Sequence, residues 1–375
     1  MKRSIELHEL LRCTVAVLTL ALWLPAAWGQ GVPTWVEQVH DFGTFKEELN
    51  TVTCTMHVVN TGDSAMVITR VQPNCGCTVA QYSHEVMQPG DTGSVTLTYN
   101  ARHIPGQFEK KVLVYTSGRP RKTVLTIKGK VIGTPETVSD TYPFAVGPLR
   151  LSTGNLPLGE IYKGKATDAY ISGYNTAPDT MLVSLGRDMP ATISAHAVPD
   201  TVEPGGLFII SVYYRTAQAR LWGLNTDTLS VLASPLHATS TATSGAAKVS
   251  VMCNVKEDFS RLGDKQRRQA PVVELSATKV DFGDVAAGTG AVERTLQVKN
   301  TGRHALKLRR LFVPGGEGIT ATCDQAEIKR GHTATVTLRL DPSRRRGTVV
   351  NTSLNVITND PYTPQSLVRL VGIVH

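Results

Sequence analysis

Cysteine is too sparse and too scattered in this chain to describe a disulfide framework. Six cysteines are present, and five of them, Cys54, Cys75, Cys77, Cys253 and Cys323, lie beyond the N-terminal segment. A small disulfide-held scaffold needs a dense, even set, so these folds must stand mainly on apolar cores. Long hydrophobic runs are equally missing after residue 29, which leaves no later segment long enough to span a bilayer as a helix. No segment after it offers a convincing helical period, which turns attention to strands. Charge of one sign is in only modest excess, formally +8, too weak an excess to argue nucleic-acid binding. Catalytic signatures are absent too: there is no GxSxG elbow, no HExxH pair, no phosphate loop and no dinucleotide fingerprint.

What is present begins with residues 1–29, which read as a secretory signal. Lys2, Arg3 and Arg12 precede an apolar run from Val15 to Leu24 that ends in small residues, with cleavage expected after Gly29 and Ala27 at the small −3 position. The run is shorter than the ~20 residues of a spanning helix, and Cys13 precedes it, so no cysteine follows to carry a lipid. The expectation is an exported, soluble protein of the periplasm or cell surface. Removal of this segment leaves 346 residues, more than one core usually organises.

Three marker positions then recur in order. Gly43 in "HDFGTF", Asn60 in "VVNTGDS" and Gly90 in "MQPGDTGSVTLTY" are answered by Gly283 in "VDFGDV", Asn300 in "VKNTGRH" and Gly331 in "IKRGHTATVTLRL". The middle third repeats them more loosely as Gly159, Asn175 and Gly205. Three units of about 120 residues follow, far longer than a solenoid repeat of ~20–50 residues. Each unit can therefore bury its own core.

Alternation dominates within the units: Val52, Cys54, Met56 and Val58 share one face, and Thr53, Thr55 and His57 the other. Each Asn-Thr follows a strand and reads as a tight left-handed turn. The fold class expected is all-β: three tandem immunoglobulin-like β-sandwich domains of about seven strands each, after the signal segment. Boundaries fall at 30–137, 138–258 and 259–375. The polar, Pro-bearing stretches 133–142 and 257–271 read as linkers, the second long and basic enough to let the third domain swing. The stretch His237 to Ala247 reads as a flexible hairpin loop.

The run "VNTGDSAMVITRVQPNCGCTVA" with "QPGDTGSVTLTYNA", and the closing "NVITNDPYTPQSLVRLVGIV" from Asn355 to Val374, resemble a Bacteroidota family of unknown function with an Ash/hydin-like fold, akin to major sperm protein and hydin repeats. The resemblance is strong over residues 36–132 and 273–375 and weak over 143–256. It implies an extracytoplasmic protein with no established enzymatic activity, on a fold that serves protein–protein contact, adhesion or surface assembly. The middle and last copies depart from it in lacking the Cys-Gly-Cys pair.

Cys75-Gly76-Cys77 is the sharpest local feature, and the strand order expected of a sandwich would bring Cys54 to the same pole. In the plainest reading Cys54 bonds to Cys75 or Cys77 and staples the two sheets, worth ~2–4 kcal/mol. In a second, the three thiolates hold copper(I) or zinc, with His57 or His84 assisting. In a third, Cys75 and Cys77 form a tightly constrained, exchangeable disulfide. Cys253 alternates with Val249, Val251 and Val255 and reads as a buried free thiol; Cys323 lies in a loop-like stretch with no obvious mate.

Asp41-Phe42-Gly43 and Asp281-Phe282-Gly283 resemble a kinase magnesium motif without its other parts; the phenylalanines read as core plugs and the glycines as bends. Basic residues gather in the third domain at Arg303, Lys307, Arg309, Arg310, Lys329, Arg330, Arg339 and Arg344 to Arg346. They read plainly as a solvated surface, or functionally as an attraction to an anionic envelope surface. The function expected is non-enzymatic: contact with a protein or glycan of the cell envelope, with no cofactor and no metal. The alternative is metal or thiol-redox handling at Cys54, Cys75 and Cys77.

Overall fold

The computed structural model describes residues 29–219, 221–237, 242–345 and 347–375. The expected signal segment, apart from Gly29, lies outside the described residues, as does 238–241 within the expected hairpin loop. Among the described residues no helix is long and apolar enough to cross a membrane. The chain divides into two compact units, one ending at Thr137 and the other beginning at Val138.

The first unit is a sandwich of eight strands: β1 (Pro33–Trp35), β2 (Val39–Lys46), β3 (Thr51–Asn60), β4 (Ile68–Pro73), β5 (Thr78–Tyr82), β6 (Thr92–Asn100), β7 (Gly106–Thr116) and β8 (Lys122–Ile132). One sheet runs β1-β3-β6-β5 and the other β2-β8-β7-β4. Only β2 and β8 pair in parallel. Alternation decides the faces: Cys54, Met56 and Val58 of β3 and Val95, Leu97 and Tyr99 of β6 are buried. On the outer face Thr53 meets Thr98, and Thr55 meets Thr96, each at 3.0 Å.

The second unit holds two more sandwiches. The earlier uses β9 (Phe144–Val146), β10 (Leu149–Leu151), β11 (Asn155–Tyr162), β12 (Ala166–Asn175), β13 (Met181–Leu185), β14 (Ile193–Val198), β15 (Thr201–Val202), β16 (Leu207–Arg215), β17 (Gly223–Pro235) and β18 (Gly245–Lys256). Its sheets run β14-β16-β12-β10-β9 and β11-β18-β17-β13-β15. The later uses β19 (Val273–Leu275), β20 (Lys279–Val285), β21 (Val292–Asn300), β22 (Leu306–Phe312), β23 (Ile319–Cys323), β24 (Glu327–Ile328), β25 (Thr333–Leu340), β26 (Thr348–Thr358) and β27 (Gln365–Val374). Its sheets run β19-β21-β25-β23 and β20-β27-β26-β22-β24. Each sandwich has its own buried cluster, so the chain is all-β with three immunoglobulin-like cores. Strands number eight, ten and nine against the seven expected, because short edge strands such as β15 and β24 lack enough residues to show alternation.

The three marker positions have distinct structural roles. Gly43, Gly159 and Gly283 have positive φ and sit where the register of β2, β11 and β20 against its parallel neighbour shifts. Each is a bulge that re-aims the strand, and Phe282 beside Gly283 is buried as a core plug. Gly90, Gly205 and Gly331 also have positive φ and donate their N–H groups to the carbonyls of Asn60, Asn175 and Asn300.

The asparagines correct the sequence reading. None has a positive φ; among the described residues only Asn50 and His103 do so without being glycine. Each marker asparagine instead ends its strand, fully buried, with its side chain acting as a clamp. Asn300 donates to the His304 and Ile328 carbonyls at 2.8 and 2.9 Å and accepts from the N–H of Gly302 at 3.0 Å. Asn60 and Asn175 repeat the pattern on Ser64 and Met87, and on Asp179 and Val202. The buried amide bonds backbone groups at the strand end and in the turn after it, sharing the Met87 carbonyl with the Met66 N–H in the first copy, which is why the position recurs.

Two buried carboxylates close the outer sandwiches in the same manner. Glu47 accepts from the N–H groups of His103 at 2.7 Å and Thr134 at 2.9 Å, and from the Thr137 hydroxyl at 3.0 Å. Burial pushes this carboxyl up, but the Thr134, His103 and Thr137 donors and the His103 ring outweigh it and hold Glu47 below its ordinary value. Asp360, in the closing "TNDP" stretch, accepts from the N–H groups of Val273 and Tyr362, both at 2.8 Å, and so ties the β26–β27 hairpin to β19.

The linker stretches are not wholly irregular. A helix α1 (Pro135–Thr141) occupies the first and α2 (Asp264–Arg268) the second. Both are too short to carry a helical period, which is why none was legible.

Candidate functional site

The cysteine pole of the first sandwich is assembled differently from the sequence expectation. Cys75 and Cys77 bond to each other, and Cys54 is a free, buried thiol. The staple from Cys54 to Cys75 or Cys77 is therefore overturned, and the register gives the reason. Cys54 lies opposite Leu97 on β6, whereas the Cys77 carbonyl accepts from the N–H of Asn100, three residues further along. That offset is about 10 Å along the strand, with β6 lying between, beyond disulfide reach. Cys54 points into the core beside Met56; burial pushes its thiol up to about 11, and the Glu37 charge adds to the rise.

The three sulfurs thus do not converge, and among the described residues no group of three His, Cys, Asp or Glu side chains is arranged to hold a metal. His57 lies on the outer face of β3, and the His84 ring lies tilted against Tyr82 with centroids 4.4 Å apart. The Cys75–Cys77 bridge, half-buried beside Thr78, shapes the turn into β5. Cys253 is a buried free thiol in β18, also pushed up to about 11 by burial with a contribution from Asp227. Cys323 ends strand β23, half-buried, rather than lying in a loop.

The more elaborate arrangement lies where the second and third sandwiches meet, within one compact unit. Arg309 of β22 makes a two-pronged contact with Glu257, just after β18, at 2.8 and 3.1 Å. Its guanidinium stands 5.1 Å from the ring centre of Trp222, whose ring also has the Lys163 ammonium 5.7 Å away. The neighbouring Arg310 donates to the Trp222 carbonyl at 3.1 Å and the Leu224 carbonyl at 2.6 Å, and lies 4.1 Å over Phe312. Gly223 has positive φ, and a side chain there would meet the Ile357 side chain. The third domain is therefore clamped to the second rather than free to swing about residues 257–271. Two arginines assigned to a basic surface are used in the clamp, and Lys307 and Arg344 pair with Glu327 and Asp341.

Beside the clamp is a groove of about 730 Å³, lined by Thr192, Leu224, Thr226 and Asp227 on one side and Phe312 and Pro314 on the other. Its walls are strand edges. β17 pairs with β18 over Gly223–Ala233 but with β13 only over Val231–Pro235, so Leu224 to Leu229 have one open side. β22 likewise meets β24 at Leu306 and Lys307, with one further bond from the Leu308 N–H to the Ala326 carbonyl. Asp227 accepts at one carboxylate oxygen from the Thr192 hydroxyl at 2.7 Å and the Tyr214 hydroxyl at 2.8 Å. Burial and the bond to Asp227 push the Tyr214 phenol up.

None of Trp222, Asp227 or Glu257 stood out in the sequence. The one signal was the adjacent pair Arg309-Arg310 inside a strand, where the register of β22 against β26 shifts.

Comparisons with known proteins agree with the architecture. Residues 33–131 match the family described as "Protein of unknown function (DUF1573)", and residues 271–372 match the "HYDIN/CFA65/VesB-like, Ig-like domain". No curated protein matches the chain. Among solved structures, a protein of unknown function from Porphyromonas gingivalis W83 is similar at 18% identity and a TM-score of 0.49, over 60% of this chain and 100% of that one. The ASH / PapD-like domain 7 of human CEP192 is similar at 11% identity and a TM-score of 0.26, over 31% and 92%. The secreted serine protease VesC from Vibrio cholerae is similar at 11% identity and a TM-score of 0.27, over 60% and 52%. At these identities and TM-scores the structural likenesses carry no argument about function. The two matches, a DUF1573 domain over residues 33–131 and a HYDIN/CFA65/VesB-like, Ig-like domain over residues 271–372, agree with the resemblance read in the sequence.

Proposed function

We propose that this protein is an exported, non-enzymatic contact protein of the bacterial envelope that binds a protein or glycan partner. The immunoglobulin-like domains, a binding type of module, support a role in association, and the apolar run behind Lys2, Arg3 and Arg12 supports export. The observation that carries the reading is the junction of the second and third domains. There a fixed clamp holds two half-open strand edges beside a groove. Open edges are pairing sites that folds usually blunt, and keeping two of them in one rigid frame suits recognition. The exposed Arg303, Lys329, Arg330 and Arg339 add attraction toward an anionic envelope surface, screened by salt.

The test is association of the purified chain, from residue 30 onward, with envelope fractions of its source bacterium, read by sedimentation and site-specific photo-crosslinking. A saturable complex at micromolar concentration is expected. Loss of any saturable association across these fractions would overturn the proposal.

A further inference from the structure

The open edge of β17 has a defined polarity. The Leu224 carbonyl points away from β18, since it receives Arg310 of the third domain, and the Ser230 carbonyl points the same way, to the N–H of Gly186. In an antiparallel ladder the N–H and C=O of one residue share a side and alternate along the strand. With an unbroken register from Gly223 to Ala233, the backbone groups of Thr226 and Thr228 also point to the open side, between those two anchors. Thr226 lines the groove, and neither it nor Thr228 has a strand to pair with on that side.

The charges at the groove are arranged as well. Arg310 uses one guanidinium nitrogen for two carbonyls, and among the described residues no carboxylate pairs with it. Asp227 uses one oxygen for two hydroxyls, and among the described residues no cation pairs with it. The positions they mark on β17, Leu224 and Asp227, are three residues apart, about 10 Å along a strand. Leu224 and Phe312 supply apolar walls between them.

Resting on the contact function above, we propose that this groove takes an extended peptide segment of a partner as an added strand antiparallel to β17. The segment pairs with Thr226 and Thr228, sets a basic side chain near Asp227 and, about three residues on, a carboxylate at Arg310. Main-chain bonds give affinity and the two charges give register and direction.

The probe is a fluorescein-labelled heptapeptide of alternating valine and threonine, with lysine three residues before a free carboxyl terminus, titrated by anisotropy against the chain from residue 30. Saturable binding is expected, weakened at least tenfold by Thr226→Pro. That substitution removes an N–H from the open side and leaves the β18 ladder intact, so the melting temperature should hold. A peptide N-methylated at the ladder positions tests the same bond from the other partner, should the variant fold poorly. An amidated carboxyl terminus, or glutamate for lysine, should each weaken binding several-fold. No binding at millimolar peptide, or equal binding of the N-methylated probe, overturns the assignment. Dimerisation of the chain abolished by Thr226→Pro, without peptide binding, also overturns it in favour of a second copy as occupant. Crosslinking to an envelope partner through other surfaces would leave the contact function standing while this inference falls.

Discussion

The guanidinium of Arg309 and the carboxylate of Glu257 meet in a two-pronged contact, at 2.8 and 3.1 Å, across the junction of the second and third sandwiches. Both side chains are only about a quarter exposed, 27% and 26%, and the Arg309 guanidinium lies over the Trp222 ring. Such a pair in partial shelter exceeds the 0–1 kcal/mol of an exposed bridge. Glu257→Gln is expected to weaken the junction by about 1–3 kcal/mol. Small-angle scattering of the 138–375 unit should then show a broader range of inter-domain arrangements, and Arg309→Gln in the same background should add little, as residues that act together do.

Asn300 bonds two carbonyls and two N–H groups around the end of its strand. Asn300→Ala is expected to destabilise the third domain by about 2–4 kcal/mol, because buried backbone groups left without partners each carry a desolvation penalty. Thermal melting measures it; Asn300→Asp, which sets a buried carboxylate against the two carbonyl oxygens, should cost at least as much as alanine at neutral pH.

Glu47 has its folded pKa below the ordinary carboxylate value. The ionised form is therefore favoured by folding, and its stabilisation is complete above the ordinary value and lost as pH falls from there through the folded one. Chemical denaturation of the first unit should show stability declining across that acid window, and Glu47→Gln should flatten the decline while costing about 1–3 kcal/mol at neutral pH.

The cysteines divide by access. Alkylation without reductant is expected to leave Cys75 and Cys77 unmodified, because they share a bond. It should modify Cys323 slowly and reach Cys54 and Cys253 only on unfolding, since both are buried and their thiols are pushed up to about 11. Peptide mass mapping reads the pattern, and a Cys54 bridge found there would contradict the register argument.

Much of the fold was legible in the sequence, because alternation is a local consequence of a half-buried strand and the glycines mark local backbone needs. Gly43 and Gly283 were read as bends from Phe-Gly alone, and they are bulges. The asparagines were found by spacing yet misassigned, because a buried clamp and a left-handed turn ask for the same residue after a strand. The candidate groove was not legible, since Asp227, Thr192, Trp222 and Arg310 come from distant parts of the sequence.

The order of residues alone determined the strands, the threefold template and the faces that go inward, all of which depend on neighbours within a few positions. Tertiary structure decided which sulfurs meet and how the second and third domains lock. It also decided which strand edges stay open, since each depends on register and on groups brought together from far apart in the chain.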